Sequence, residues 1–271
     1  AHIENYYEGY SNKIIWPLCH YFFSHIEYEH DYWAYYQEAN ALFAKTALEI
    51  IKPGDIVWIH DYQLMLLPQK IRAKTRDVSI GYFHHIPFPS YELFRLLPER
   101  ADVLNGLFGA DLIAFHTHDY MRHFISSSYR VLDLDFNLDE VQVDNRVVHV
   151  DTFPMGINYE LYNEAILNKE VQEIAGNFKE DFGDVKIILS VDRLDYSKGI
   201  LHRLKAFAQF LEHHPSYSEK VILAMLVVPS RDNVEIYADL KNKIDEAIGA
   251  INGTYSTPNW SPIHYFYRAF P

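Results

Sequence analysis

The chain has 271 residues, which suits one large α/β domain or two domains of ordinary size, and 49% of them are hydrophobic, ample for a core. Its net charge of −13 argues against binding to nucleic acid or anionic lipid, which proteins engage mainly through an excess of lysine and arginine. No apolar run approaches the ~20 residues of a membrane span, no signal peptide opens the chain, and the single cysteine excludes an intramolecular disulfide, so we expect a cytoplasmic protein.

Residues 1–52 are predicted to be helical and are crowded with aromatic side chains, most of which we assign to the core. No strand followed by a turn opens this region, although such units recur later in the chain. Because the sequence starts without a first strand of its own, we expect it to be a piece of a longer protein.

Three units of a buried strand followed by a helix come next, with the strands predicted at residues 55–59, 78–83 and 111–115. Strands separated by helices predict a parallel sheet with right-handed crossovers, so these strands end along one rim of the sheet. The polar residues that follow the strands then share that rim: His60, Asp61, Tyr62, His84, His85 and His116.

We interpret this rim as a binding site. Pro87 and Pro89 force extended backbone on the residues before them, so the turn after His85 should be stiff and its imidazole held in place. The alternative is that each histidine only caps a strand and bonds to a carbonyl. It explains one such residue well, but it explains polar residues at three successive strand ends poorly.

A zinc site on the same rim is a further alternative, since imidazole is a common zinc ligand. Its candidate ligands are His60, His84, His85 and His116. His84 and His85 are adjacent on an extended stretch and should point to opposite faces of the sheet, so at most one of them serves the site. We therefore predict that the site holds no metal.

A β-hairpin is predicted in residues 141–150, where hydrophobic residues alternate about an Asp-Asn turn. An acidic, amphipathic helical segment at residues 158–182 follows and leads into a second α/β region. We therefore predict two domains, residues 1–157 and residues 158–271, with the boundary near Ile157.

The clearest strand, turn and helix of the chain lie in the second domain. Residues 186–191 are apolar and rich in β-branched side chains, which is typical of a strand covered on both faces. The helical stripe that follows consists of Ile200, Leu204, Phe207 and Leu211. Arg193 and Lys198 stand between them, at a strand end where α/β proteins bind ligands and beside a helix start that favours an anion.

This turn suits a diphosphate. Ser197 can cap the helix, and Gly199 lets a ligand approach the backbone closely. In the alternative interpretation the two cations pair with Asp192 and Asp195 as a solvated surface cluster, and the local sequence favours neither reading. Arg231 follows the strongest apolar strand of the chain and therefore lies at another carboxyl end.

Several short motifs, taken together, resemble the trehalose-6-phosphate synthase family. They lie at residues 9–12 with 16–17, 60–62, 85–89, 154–157, 193–199 and 229–231. The strings R-L-D-Y-S-K-G and H-I-P-F-P are highly specific, and the spacing between the motifs agrees with the family along nearly the whole chain.

The resemblance implies a retaining glycosyltransferase of the GT-B type, an α/β fold with two Rossmann-like domains that have parallel sheets. Residues 1–157 would be the acceptor-side domain without its N-terminal part, and residues 158–271 the nucleotide-sugar-side domain without its C-terminal part. The implied reaction passes glucose from UDP-glucose to glucose 6-phosphate and gives trehalose 6-phosphate and UDP, with retention at the anomeric carbon.

The resemblance also assigns roles to individual residues. The residues that would hold glucose 6-phosphate are Tyr7, Trp16, Tyr62 and Arg231, the last of them on the phosphate. Asp61 would hydrogen-bond the acceptor sugar, and His85 would contact the donor glucose. Arg193 and Lys198 would grip the UDP diphosphate.

This chemistry needs no metal, cofactor or protein nucleophile. Negative charge develops on the leaving phosphate, and two fixed cations stabilise it more in the transition state than in the ground state. In the family the acceptor hydroxyl attacks from the leaving group's own face, and a phosphate oxygen accepts its proton. The residues we name as catalytic, none of them a nucleophile, are His85, Arg193, Lys198 and Asp61.

Two segments of the family pattern lie outside this sequence. A Gly-rich loop near the donor phosphates would precede Ala1, and the residues that contact the donor glucose and the UDP ribose would follow Pro271. We therefore expect the 271-residue chain by itself to lack synthase activity.

Two alternatives for the function stay open: a related synthase acting on glycerol 3-phosphate, and a non-catalytic regulatory subunit that binds sugar phosphates. The sequence is compatible with a homo-oligomer.

Overall fold

The computed structural model describes residues 3–230 and 235–269. Contacts divide the chain into two compact units, residues 1–157 and residues 158–271, hereafter unit 1 and unit 2. Helices and parallel strands alternate along most of each unit. Among the helices of the described ranges, none combines the length and apolar character needed to cross a bilayer.

Unit 1 opens with helical segments, as predicted. A π-helix spans Glu4–Ile15, and it is followed in unit 1 by α1 (Trp16–Cys19), α2 (His30–Ile50), α3 (Leu67–Arg72), α4 (Tyr91–Phe94), α5 (Arg100–Leu107) and α6 (His118–Leu132). The long α2 buries Tyr36, Asn40 and Ala44, because a spacing of about four residues keeps side chains on one helical face. This face packs on the π-helix and on α3.

The strands of unit 1 form one mixed sheet. They are β1 (Ile56–His60), β2 (Ser79–His84), β3 (Leu112–Phe115), β4 (Phe136–Asn137), β5 (Glu140–Val143) and β6 (Arg146–Thr152). Their order is β1-β2-β3-β6-β5-β4, in which β1, β2, β3 and β6 run parallel. The predicted hairpin is the antiparallel pair β5 and β6, and β4 pairs antiparallel with β5. The parallel strands therefore end along one edge, as the sequence predicted.

Two histidines differ from the prediction in their place on this edge. His60 pairs with Phe83 inside the β1–β2 ladder, and His84 pairs with Phe115 inside the β2–β3 ladder. Each is thus the last residue of a strand and not the first residue of a turn, because the backbone hydrogen bonds of the parallel ladder continue to the edge of the sheet.

The core of unit 1 lies on one face of this sheet. An aromatic cluster fills it, with ring centroids 5.0 to 5.8 Å apart, and consists of Phe88, Phe94, Phe108, Phe115 and Phe124. On the opposite face, Ile56 and Trp58 of β1 are 82% and 66% exposed. Among the described residues, this opposite face is therefore exposed at the edge strand β1, whereas Phe83 of β2 and Ala114 of β3 on the same face are buried.

Unit 2 contains a parallel sheet of order β7-β8-β9. Its elements are α7 (Tyr159–Glu164), α8 (Lys169–Phe182), β7 (Lys186–Arg193), α9 (Ile200–His213), β8 (Val221–Val228), α10 (Glu235–Tyr255) and β9 (Ile263–Tyr267). The helical stripe predicted on α9 is buried against the sheet, together with Tyr237 and Ile244 of α10.

Strand β7 differs from the prediction in its coverage. We expected it to be buried on both faces, but Ile187, Leu189 and Val191 are exposed. Ile188, on the other side of the strand, is also exposed. β7 is an edge strand of this sheet, and the core that includes α9 and α10 lies against β8 and β9, with no residue of β7 among its described members. The apolar composition of a strand reports how much surface it can bury, whereas the number of covered faces depends on which helices pack there.

Candidate active site

A row of three imidazoles lies at the carboxyl ends of β1, β2 and β3. His60 Nδ1 is 2.8 Å from His85 Nε2, and His85 Nδ1 is 3.3 Å from His116 Nε2. The parallel register brings these residues together, since their strands end side by side. Because both ring nitrogens of His85 are engaged, a ligand that hydrogen-bonds this ring must displace one neighbour, and His60 is the more exposed of the two.

Asp61 ties the ends of β1 and β2 together. Its carboxylate accepts the backbone N–H groups of Tyr62, at 2.9 Å, and of His85, at 3.1 Å. Its backbone has a φ of 71°, a region that costs a non-glycine residue about 1 to 3 kcal/mol. Burial raises the pKa of Asp61, while the two N–H donors and the nearby His85 and His116 oppose the shift. The carboxylate therefore fixes the backbone beside the imidazole row.

His84 and His85 point to opposite sides of the sheet. His84 is buried in the core against Phe88 and Phe115, and its Nδ1 is 3.0 Å from the hydroxyl of Tyr82. Burial lowers the pKa of His84 to about 3, so its ring is neutral at physiological pH. The structure thus assigns His84 to the core.

The protonation of His85 depends on its neighbours. Burial lowers the pKa of His85, the Asp61 carboxylate opposes this shift, and His60 and His116 add to it.

In the described part of the chain, no group of three or more histidine, cysteine, aspartate or glutamate side chains has an arrangement that could hold a metal ion. The three imidazoles of the row are joined to one another by hydrogen bonds.

Two of the residues assigned to the acceptor lie in contact with each other. The ring centroids of Trp16 and Tyr62 are 5.7 Å apart, and the Tyr62 hydroxyl donates to Asn12 Oδ1 at 3.0 Å. Both Trp16 and Tyr62 are buried, so each presents little side-chain surface to a ligand in this structure. Tyr7, on the π-helix, is 39% exposed. Arg231, which sequence analysis assigned to the acceptor phosphate, lies outside the described residues.

Sequence reasoning missed the side chains that hold the turn after Asp61. The Tyr36 hydroxyl donates to the carbonyl of Tyr62, at 2.7 Å, and accepts the N–H of Met65, at 3.0 Å. Asn40 Nδ2 donates to the carbonyl of Gln63 at 3.1 Å. The signal that could have found them is the spacing of four between Tyr36 and Asn40, which marks a polar pair on a buried helical face.

Replacing Tyr36 by phenylalanine is expected to destabilise unit 1 by about 2 kcal/mol, because the Tyr62 carbonyl and the Met65 N–H lose their partner in the interior. Equilibrium urea denaturation measures the change. Tyr129→Phe is the matched control, since Tyr129 is exposed on α6. Equal stability of the two variants would contradict the prediction.

A cavity of about 440 Å³ opens on the exposed face of the unit 1 sheet. Aromatic and apolar side chains make most of its lining, and His60 and His85 stand at its polar end. Its aromatic lining residues, besides the two histidines, are Trp58, Tyr82, Phe83 and Phe153. The lining does not include Asp61 or Tyr62, so the structure separates the cavity that His85 faces from the contact between Trp16 and Tyr62.

In unit 2, Arg193 and Lys198 have no carboxylate partner within the described residues. Arg193 is the last residue of β7 and Lys198 ends the 3₁₀ turn Tyr196–Lys198, and both are exposed. The alternative that pairs them with Asp192 and Asp195 is wrong. Asp192 pairs instead with Arg203 of α9, at 2.5 Å.

The prediction that Ser197 caps α9 is also wrong. The Asp195 carboxylate accepts the N–H of Ser197 at 2.9 Å and caps the 3₁₀ turn. Gly199 precedes α9 with a φ of 63°, a left-handed conformation that glycine adopts without strain. Among the residues that the structure describes, no side chain caps α9, and a helix start without a cap favours an anion.

The sequence of the chain is similar to a known protein family and to individual members of it. The sequence matches glycosyltransferase family 20 over residues 1–271. It is 43% identical over 270 residues to the UDP-forming α,α-trehalose-phosphate synthase of Yarrowia lipolytica, covering 97% of this chain and 58% of that protein. The chain therefore spans a little over half of this relative.

Two solved structures are similar over the full length of the chain. One is a UDP-forming α,α-trehalose-phosphate synthase from Burkholderia xenovorans in complex with glucose-6-phosphate, with a TM-score of 0.92 and 29% identity. The other is an E. coli protein bound with UDP-2-fluoro glucose, with a TM-score of 0.94 and 29% identity. Each match covers 100% of this chain and 60% of the solved one. The predicted α/β fold of the GT-B type is confirmed, and the chain belongs to glycosyltransferase family 20.

Proposed function

We propose that the protein of which these residues form part transfers glucose from UDP-glucose to glucose 6-phosphate and releases UDP, with retention at the anomeric carbon. The observation that carries the proposal is the similarity of the entire chain to UDP-forming synthases, one of them solved with glucose-6-phosphate. Arg193 and Lys198 of unit 2, which are exposed and have no carboxylate partner among the described residues, support a site for a diphosphate. We also propose that the protein acts in the cytoplasm, where its buried Cys19 thiol stays reduced.

Unit 2 supplies the charge that the reaction needs. Breaking the bond between glucose and UDP places negative charge on the leaving phosphate. Arg193 and Lys198 stabilise that charge. Neither forms an ion pair with a carboxylate of the described chain, so their positive charge takes the place that a metal ion would otherwise have. The start of α9, which no side chain of the described residues caps, adds backbone N–H donors that carry a partial positive charge.

Unit 1 supplies positioning. His85 contacts the donor glucose from the imidazole row, and Asp61, whose carboxylate already holds two backbone N–H groups, hydrogen-bonds the acceptor sugar. Tyr7, Trp16 and Tyr62 hold glucose 6-phosphate, with Arg231 on its phosphate. Trp16 and Tyr62 are both buried, so this assignment requires their contact to open slightly when glucose 6-phosphate binds.

Release of UDP from UDP-glucose on addition of glucose 6-phosphate tests the proposal. We expect turnover from the full-length protein and none from the 271-residue chain alone. Full-length protein that binds both ligands without turnover would identify a regulatory subunit, and preference for glycerol 3-phosphate as acceptor would identify the related synthase. Turnover by the 271-residue chain alone would contradict the expected loss of activity.

A further inference from the structure

Arg203, in the first turn of α9, makes contacts that join the helix to the end of β7. One nitrogen of its guanidinium, Nη1, donates to the Ser190 hydroxyl and to Asp192 Oδ2, the latter at 2.5 Å. The other, Nη2, lies 3.4 Å from the carbonyl of Lys198. The Asp192 side chain is only 15% exposed, and it also accepts from the Ser190 hydroxyl at 3.1 Å.

These contacts decide which charges of the strand end remain available. Asp192 is adjacent to Arg193 in the sequence, yet its carboxylate faces α9 and is neutralised by Arg203. A carboxylate without that partner would either attract a neighbouring cation or repel an incoming anion. With Arg203 in place, Arg193 and Lys198 keep their full charge for a ligand.

Arg203 also acts on the backbone of the turn. Its contact to the Lys198 carbonyl lies beside Gly199, whose left-handed φ of 63° turns the chain into α9. The same guanidinium is therefore attached to the strand before the turn and to the last residue of the turn. Loss of this bridge would let the Lys198 backbone and its cation shift together.

We propose that Arg203 is a positioning residue for the diphosphate-binding turn, which neutralises Asp192 and fixes Lys198 so that two cations face the donor. This inference rests on the proposed function and deepens it. The contrasting possibility is that the Arg203–Asp192 pair only fastens α9 to β7, in which case its loss would lower stability without a selective effect on the donor.

The test uses the full-length protein and compares Arg203→Met, Arg203→Lys, Asp192→Asn and the double variant D192N/R203M. We expect Arg203→Met to raise the KM for UDP-glucose and the Kd for UDP about tenfold, while the KM for glucose 6-phosphate changes little. Arg203→Lys should recover part of the loss, because it restores the charge without the fork geometry. The double variant should recover the part of the loss that comes from the unpaired Asp192 carboxylate, while the part that comes from the missing contact to the Lys198 carbonyl remains.

Lys205→Met is the matched control, because Lys205 is an exposed cation on the same helix. It should leave both KM values unchanged, and thermal unfolding of every variant reports any loss of folding. The inference is overturned if Arg203→Met leaves the UDP affinity as in wild type, if it weakens donor and acceptor equally, or if the double variant is as impaired as the single one. Wild-type protein that binds no UDP overturns the proposed function and this inference with it, whereas UDP binding by wild type and Arg203→Met alike overturns this inference alone.

Discussion

Replacing Arg193 by alanine in the full-length protein is expected to lower kcat/KM for UDP-glucose about a hundredfold, the size of effect seen when one preorganised donor to a developing negative charge is removed. Arg193 is exposed at the end of β7 and has no anionic partner in the described ranges, so its charge is available to the leaving phosphate. Lys198→Ala should have an effect of similar size. Initial rates of UDP release at varied UDP-glucose measure both.

Lys186→Ala is the control for this experiment. Lys186 begins the same strand, and its ammonium lies 5.9 Å from the centre of the Tyr217 ring, at the opposite end from the turn. The variant removes one positive charge from unit 2 without touching the proposed site. If Lys186→Ala reduced kcat/KM as strongly as Arg193→Ala, the effect would come from net charge and the assigned role would be wrong.

Substituting alanine for Gly109 is expected to destabilise unit 1 by about 3 kcal/mol or more, because the added methyl group has no room. A Cβ atom at this position would lie 2.1 Å from the backbone nitrogen of Gln69 and 2.3 Å from the carbonyl carbon of Pro68. Both atoms belong to α3, so an entire helix would have to move. Equilibrium urea denaturation of the 271-residue chain measures the change.

Gly81→Ala separates this steric effect from the loss of a glycine as such. Its Cβ would meet only Trp58 Cδ1 at 3.6 Å, an ordinary van der Waals contact, and Gly81 lies in β2 of the same unit. We expect stability equal to wild type or slightly greater, since alanine loses less backbone entropy on folding. A midpoint for Gly109→Ala that matches that of Gly81→Ala would show that α3 and the chain at Gly109 are not as close as described.

The strands and helices were predictable because each has its own local period. The stripe of α9 and the alternation of the β5–β6 hairpin are both read from a few adjacent residues, and both are present. The opposite orientation of His84 and His85 followed from the same rule for extended chain. The ends of β1 and β2 were placed one residue early, because the last hydrogen bonds of a ladder depend on the neighbouring strand.

The side-chain partners were less predictable. Asp192 could pair with its neighbour Arg193 as far as the sequence shows, but it pairs with Arg203, which α9 carries back over the end of β7. Tyr36 reaches the turn after Asp61 across 26 residues of sequence. Such contacts depend on where and at what angle a helix crosses a strand, and the hydrophobic period of each segment does not determine that crossing.

The sequence alone determined the alternation of strands and helices, the gathering of His60, Asp61, His85 and His116 at one strand edge, and the family motifs. These follow from the apolar pattern and from the rule that parallel strands end together. Only the tertiary structure decided that both ring nitrogens of His85 are engaged and that Arg193 and Lys198 have no carboxylate partner in the described chain. The physical reason is that hydrogen bonds and ion pairs form between the nearest groups in space, and nearness in space is set by packing between elements far apart in the chain.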